Sequence, residues 1–320
     1  MRELELMNSA DRLVREVIGV TSNDRVLVIA DADSFVVGKV FSLSCRALGA
    51  ETVISMVPMT GEHGSEPPST IAAAMKAADV VFGTTTHAIT HTQARLDAFA
   101  AGARFISLRG VTEDMMIKGA MTVDFQELRE RTEQVAQKLT SAHEVSVTSA
   151  FGTDVTFSIS GRTAFVLDGY FHEDYGFATL PPGEAPTCPV EGTTEGVIAF
   201  DYSMDGIGRL SQPLKLTVKK GSVTSVSGGT EEVRFLEDLF ERIPFARNIA
   251  EFAIGTNPRA RLIGNLGEDK KLYGTVHFAI GDNKSLGGKV ESNIHLDGLI
   301  LKPSVYLDKK LLVDEGKILL

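Results

Sequence analysis

The chain has 320 residues, enough at roughly 100 to 200 residues per domain for two domains that each bury a core. Hydrophobic residues make up 43% and charged residues 23%, with 30 Gly and 11 Pro, which excludes a disordered, collagen-like or low-complexity chain. Acidic residues outnumber basic ones 42 to 32, and a formal net charge of −10 without any basic block argues against a nucleic-acid partner.

The opening residues, Met1-Arg2-Glu3-Leu4-Glu5, place acids where a secretory leader carries bases. No run approaches the ~20 apolar residues of a membrane span, so a cytoplasmic location is expected. Cys45 and Cys188 stand in different halves of the chain, which fits neither a disulfide framework nor a paired-cysteine metal site. Both are expected to be small buried hydrophobes.

Residues 25–30 (RVLVIA) read as a buried strand, 35–48 as a helix closed by Gly49, and 52–57 as a second strand. An Ala-rich helix over 68–78, a strand at 80–82, a helix over 92–101 and a strand at 105–108 follow. Strands alternating with helices imply a parallel sheet. Asp124 and Glu127 resemble a capping box opening a helix whose apolar positions are Phe125, Leu128, Val135 and Leu139. That helix is expected to close an α/β domain over 1–142.

From about residue 144 the hydrophobic period changes to two. Val145 and Val147, then Val155, Phe157 and Ile159, flank a turn, and Leu214 to Val218 lead through Lys220-Gly221 into Val223. A β-rich α+β metal-binding domain is therefore expected over 143–320, with one helix at about 231–243 ended by Pro244. There is no internal repeat.

The polar residues with chemical potential lie in this second half. In residues 292–297 (SNIHLD) a strand sends Ile294 and Leu296 to one face and His295 and Asp297 to the other, about 6.5 Å apart. In residues 274–280 (GTVHFAI) the same alternation sets His277 opposite Val276, Phe278 and Ile280, among small neighbours. Glu251 is a lone carboxylate in an apolar segment, where burial without a cation costs several kcal/mol or shifts its pKa. Glu184 follows the stiff turn Leu180-Pro181-Pro182-Gly183. Glu184, Glu251, His277, His295 and Asp297 together make a donor set for Zn, Mn, Co or Fe(II), held as one ion or as a pair sharing a bridging water. His87 and His91 fall in a Thr-rich loop at the carboxyl end of a strand, where open α/β sheets bind ligands, and are candidates to reach a substrate from the first domain.

Residues 248–258 (NIAEFAIGTNP), 274–281 (GTVHFAIG), 287–288 (GG) and 292–297 (SNIHLD), with 180–189 (LPPGEAPTCP) and 195–198 (EGVI) upstream, resemble the aminopeptidase T and aminopeptidase S metallopeptidases. That resemblance implies a homodimeric dinuclear hydrolase with metal ligands at Glu184, Glu251, His277, His295 and Asp297. Two positions depart from it. A ligand carboxylate is replaced by Leu272, with Asp269 nearby, and a catalytic Tyr by Lys284, an electrophile candidate. Residues 287–289 (GGK) and their spacing to His295 and Asp297 also resemble a related branch, the 2,5-dihydroxypyridine 5,6-dioxygenases, which use one Fe(II). Its first ligand His falls at Glu251.

The leading expectation is a metalloaminopeptidase-like hydrolase acting on a peptide or other small substrate with one or two Zn, Co or Mn ions. Its catalytic candidates are Glu251, Lys284 and His91. The alternative is a mononuclear Fe(II) ring-cleaving dioxygenase acting on a dihydroxypyridine-like substrate.

Overall fold

The apolar run Arg25–Ala30 is the second strand of a five-stranded parallel sheet, in the order Glu51–Met56, Arg25–Ala30, Val80–Gly83, Arg104–Ser107, Phe177–Thr179. This computed structural model describes residues 2–58, 65–90 and 92–320. The chain divides into two units, residues 1–125 with 167–182 and residues 126–166 with 183–320.

In the first unit the helices Phe35–Ala47, Ser69–Ala77 and Gln93–Ala100 alternate with the strands. Thr92 caps the last of these helices, its hydroxyl accepting the Arg95 N–H at 3.3 Å, as the Ser/Thr preference at that position predicts. Phe41 on the first helix packs on Phe82 of the sheet with ring centroids 5.2 Å apart. An amino-terminal helix Arg2–Arg12 precedes the sheet and was not foreseen; its buried residues are only Leu6 and Ala10, too few to impose a period.

The second unit holds two antiparallel sheets. One has eight strands in the order Ser222–Ser227, Leu214–Lys219, Glu195–Phe200, Asp154–Ser158, Glu144–Thr148, Ser304–Leu307, Lys310–Asp314, Lys317–Ile318. The other has six, in the order Gly208–Arg209, Ser203–Met204, His295–Ile300, Val276–Gly281, Ile249–Gly255, Glu184–Thr187. Phe157 of the first sheet meets Phe252 and Phe278 of the second at 5.1 and 5.6 Å between ring centroids. Gly298 lies on this inner face, because a Cβ there would fall 2.5 Å from the Phe200 ring.

An α/β unit with a parallel sheet and a β-rich unit agree with the expected classes. The helix Phe125–Ser141 differs from expectation, since from Gln126 it belongs to the second unit. Its stripe of Val135, Ala136 and Leu139 is buried in the core formed by the two antiparallel sheets. Residues 167–182 return to the first unit because Phe177–Thr179 extends the parallel sheet beside Arg104–Ser107. A three-residue strand carries no readable period. Among the described residues no helix is long and apolar enough to cross a membrane. Cys45 and Cys188 are both buried free thiols.

Candidate metal centre

Alternation on four adjacent strands assembles the site. On the inner face, Phe252, Ile254, Val276, Phe278, Ile280, Leu296 and Ile300 join the hydrophobic core. Period two then sends the intervening residues to the other face. Register brings them together: Glu251 and Asp297 both pair with Ala279, His295 pairs with Gly281, His277 with Ala253, and Glu184 with Gly255. These partners are Ala or Gly, and His277 pairs on its other side with Leu299, so the site side chains stand mostly beside small residues.

Glu251 sits between the imidazoles. Its Oε1 lies 3.2 Å from His277 Nε2 and its Oε2 lies 2.8 Å from His295 Nε2. Asp297 Oδ1 is 3.4 Å from His295 Nε2, and Glu184 Oε2 is 3.5 Å from His277 Nε2. Donor atoms of Glu251, His295 and Asp297 lie within 4.8 Å of one another, a spacing that one ion can bridge. His295 Nδ1 donates to the Asp282 carbonyl at 2.7 Å, which fixes the ring and turns Nε2 toward the carboxylates.

Glu184, Glu251, His277 and Asp297 are nearly inaccessible to water. Burial alone raises the pKa of each carboxyl. For Glu251, burial and the adjacent Asp297 are outweighed by hydrogen bonds from His277 and His295, which hold it below its ordinary value. Asp297 is held well below the usual carboxylate range, burial being overcome by Lys270 and His295. Glu184 is held down by Lys270, Lys271 and His277 against its own burial. Burial lowers the His295 pKa, but hydrogen bonds to Asp297 and Glu251 reverse the effect and raise it well above the usual value. Metal binding at His295 Nε2 therefore competes with its protonation.

Lys270 and Lys271 also belong to the centre and were missed in the sequence. They follow the short helix Leu266–Asp269, where a pair of lysines ordinarily reads as surface. Lys270 Nζ lies 2.8 Å from Asp297 Oδ2 and 3.4 Å from Glu184 Oε2, and Lys271 Nζ pairs with Glu184 Oε1. Burial lowers the Lys271 pKa to about 8 despite the opposing Glu184 charge.

Glu184 begins the buried strand Glu184–Thr187 directly after the turn at residues 180–183. Lys284 is not among the side chains that the structure gathers around Glu251. Its ammonium is more than half exposed and pairs with Glu291, at the start of the short helical turn Lys284–Leu286. Asp269 does not substitute for the missing carboxylate either. It accepts the Ile263 and Gly264 N–H groups at 2.7 and 3.2 Å and the Ser203 hydroxyl at 3.0 Å, and so anchors a loop. His87 lines a small recess of the first unit with Asp31, Pro58 and Thr85, and His91 lies outside the described residues.

The model of the 2,5-dihydroxypyridine 5,6-dioxygenase (NicX) family matches residues 12–320. A curated 2,5-dihydroxypyridine 5,6-dioxygenase of Pseudomonas putida (strain KT2440) is 28% identical over 199 residues, 56% of this chain and 55% of the relative, so the match spans about half of the relative's length. The solved structure of 2,5-dihydroxypyridine dioxygenase from the same organism superposes with a TM-score of 0.83 at 20% identity, covering 99% of this chain and 97% of that one. Wild-type AmpT from Thermus thermophilus superposes with a TM-score of 0.72 at 14% identity over the full length of both chains. At these identities the two structures show a shared fold.

These findings overturn the leading expectation of a hydrolase, an aminopeptidase-like metalloprotease. The sheet face carrying residues 248–258, 274–281 and 292–297 belongs to a fold shared by AmpT and the dioxygenase, so its pattern does not by itself separate the two chemistries. Matched from residue 12 to its last residue, this chain belongs to the 2,5-dihydroxypyridine 5,6-dioxygenase family.

Proposed function

We propose that the chain is a ring-cleaving dioxygenase that holds one Fe(II) at Glu251, His295 and Asp297 and acts on a small dihydroxypyridine-like substrate. The observation that supports this most is the convergence of three donor atoms within 4.8 Å on a buried sheet face of a chain in this family. The residues present suit a cation. Glu184 Oε2 and Asp297 Oδ1 are buried with only long ionic contacts of 3.4–3.5 Å, and His277 Nδ1 is buried without a hydrogen-bond partner, which leaves oxygen donors available to a cation. One imidazole with carboxylates suits Fe(II), Mn(II) or Zn(II) better than a thiophilic ion.

When bound, Fe(II) supplies dioxygen activation and an attachment point for a ring hydroxyl. The chain's own residues prepare the place. His277 holds Glu251 Oε1 and Lys270 holds Asp297 Oδ2, leaving Glu251 Oε2 and Asp297 Oδ1 turned toward His295 Nε2. Hydrogen bonds that orient ligands in this way typically carry 10–100-fold in metal affinity or activity. A homodimer is part of the same proposal and is tested by light scattering of the purified chain.

The test is oxygen uptake. Metal-stripped protein reloaded anaerobically with Fe(II), and in parallel with Mn(II), Co(II) and Zn(II), is offered 2,5-dihydroxypyridine and dioxygen. The expected result is one dioxygen consumed per ring lost with iron only, and no turnover in Glu251→Ala or His295→Ala. Iron-loaded, folded protein that consumes no oxygen with any dihydroxypyridine refutes the proposal.

A further inference from the structure

We propose that Lys270 and Lys271 stand in the place of a second divalent cation, so that this centre is built for one metal ion per chain. The inference rests on the reading of Glu251, His295 and Asp297 as ligands and goes beyond it by assigning the remaining acids. Asp297 faces two ways, with Oδ1 at 3.4 Å from His295 Nε2 and Oδ2 at 2.8 Å from the Lys270 ammonium. Glu184 is engaged by ammonium groups at both oxygens, Lys270 at Oε2 (3.4 Å) and Lys271 at Oε1. Carboxylate oxygens that would face a second ion already face fixed positive charge.

The charges support the same assignment. Glu184, Glu251 and Asp297 carry three negative charges, and the two ammoniums supply two positive charges, the charge of one divalent ion. One metal then brings the cluster to a net +1, the value that two metals would give it without the lysines. A second metal beside the lysines would raise it to +3 on a buried sheet face, where uncompensated charge is strongly disfavoured.

These lysines are held in place by their backbone. The Asn265 side chain caps the preceding helix by accepting the Gly267 N–H at 3.0 Å. The Lys271 N–H donates to the Glu268 carbonyl at 2.9 Å, and the Lys271 carbonyl accepts the Asn257 N–H at 2.9 Å. Gly255, the residue paired with Glu184, admits this segment, because a Cβ there would lie 2.2 Å from the Leu272 carbonyl and 2.9 Å from that of Lys270. Lys271 is almost wholly buried, so its ammonium has no alternative in bulk water.

Metal-stripped wild type, Lys270→Met, Lys271→Met and the double variant are titrated with Co(II) by calorimetry, and metal content is counted after desalting. The expected result is one equivalent in wild type and two in the double variant, whose melting temperature rises with the second equivalent. Two equivalents in wild type, or one in a folded double variant, overturns the inference while leaving the metal reading intact. No binding at all by wild type overturns both. Should the double variant fail to fold, Lys270→Gln decides: a second, weaker equivalent supports the inference and an unchanged single equivalent refutes it.

Discussion

Asp201 ties the two antiparallel sheets together just beyond the strand Glu195–Phe200, and replacing it by Asn isolates one electrostatic effect. Its backbone N–H donates to the Leu299 carbonyl at 3.0 Å and its Oδ1 accepts the Leu301 N–H at 2.8 Å, clamping the end of the strand that carries His295 and Asp297. Its Oδ2 is buried without a hydrogen-bond partner. Burial outweighs the Leu301 hydrogen bond and raises the carboxyl from 3.8 to about 6. Because the folded pKa lies above the unfolded one, the stabilising preference for the protonated form is complete below about pH 3.8 and lost as pH rises through about 6. At 1.36 kcal/mol per pH unit that gap bounds the penalty at about 3 kcal/mol, and partial exposure to water screens it to about 1 kcal/mol at pH 8. Asn keeps the acceptor for Leu301 and never ionises. Asp201→Asn is therefore expected to match wild type near pH 4 and to exceed it by about 1 kcal/mol at pH 8. Urea unfolding of both proteins at several pH values measures this, and taking the difference cancels the other titrating groups. A pH-independent difference, or a variant less stable at pH 8, refutes the reasoning.

Phe278 is fully buried between Phe157 and Phe252, directly behind the site face. Phe278→Ala is expected to cost about 3–5 kcal/mol in chemical unfolding, and a loss below 1 kcal/mol would show that the two sheets do not pack as described. Removing bound metal with a chelator is expected to lower the melting temperature, since an ion at 100 times its dissociation constant stabilises by about 2.7 kcal/mol. Glu251→Gln should abolish that chelator response, and an unchanged response would remove Glu251 from the ligand set. Lys284→Ala is expected to leave oxygen uptake and melting temperature unchanged, because its ammonium is exposed and pairs with the exposed Glu291. A loss of turnover would restore Lys284 to the centre.

Much of the second unit was legible residue by residue. The alternation in residues 274–280 and 292–297 placed His277, His295 and Asp297 opposite the apolar residues, and the structure has them so. In the first unit the strand Arg25–Ala30 and the helix Phe35–Ala47 fall where their apolar periods put them. The lone Glu251 did signal a need for cations, met here by two imidazoles. Lysines 270 and 271 were illegible because two adjacent charges in a polar stretch carry no period and no spacing to a ligand. Reaction class was equally illegible in that sheet face, whose fold AmpT and the dioxygenase share.

What the sequence determined alone is local: which residues form strands, which face each side chain takes, and which carboxylates would be costly to bury unpaired. Such properties depend on the pleat and on solvation at one position. Tertiary structure alone decided the order of the four site strands and the register that pairs both Glu251 and Asp297 with Ala279. It also decided the passage of the helix Phe125–Ser141 into the second unit and the approach of Lys270 and Lys271 to Glu184. These follow from hydrogen bonds and packing between segments far apart in the chain, and no short stretch of sequence contains both partners.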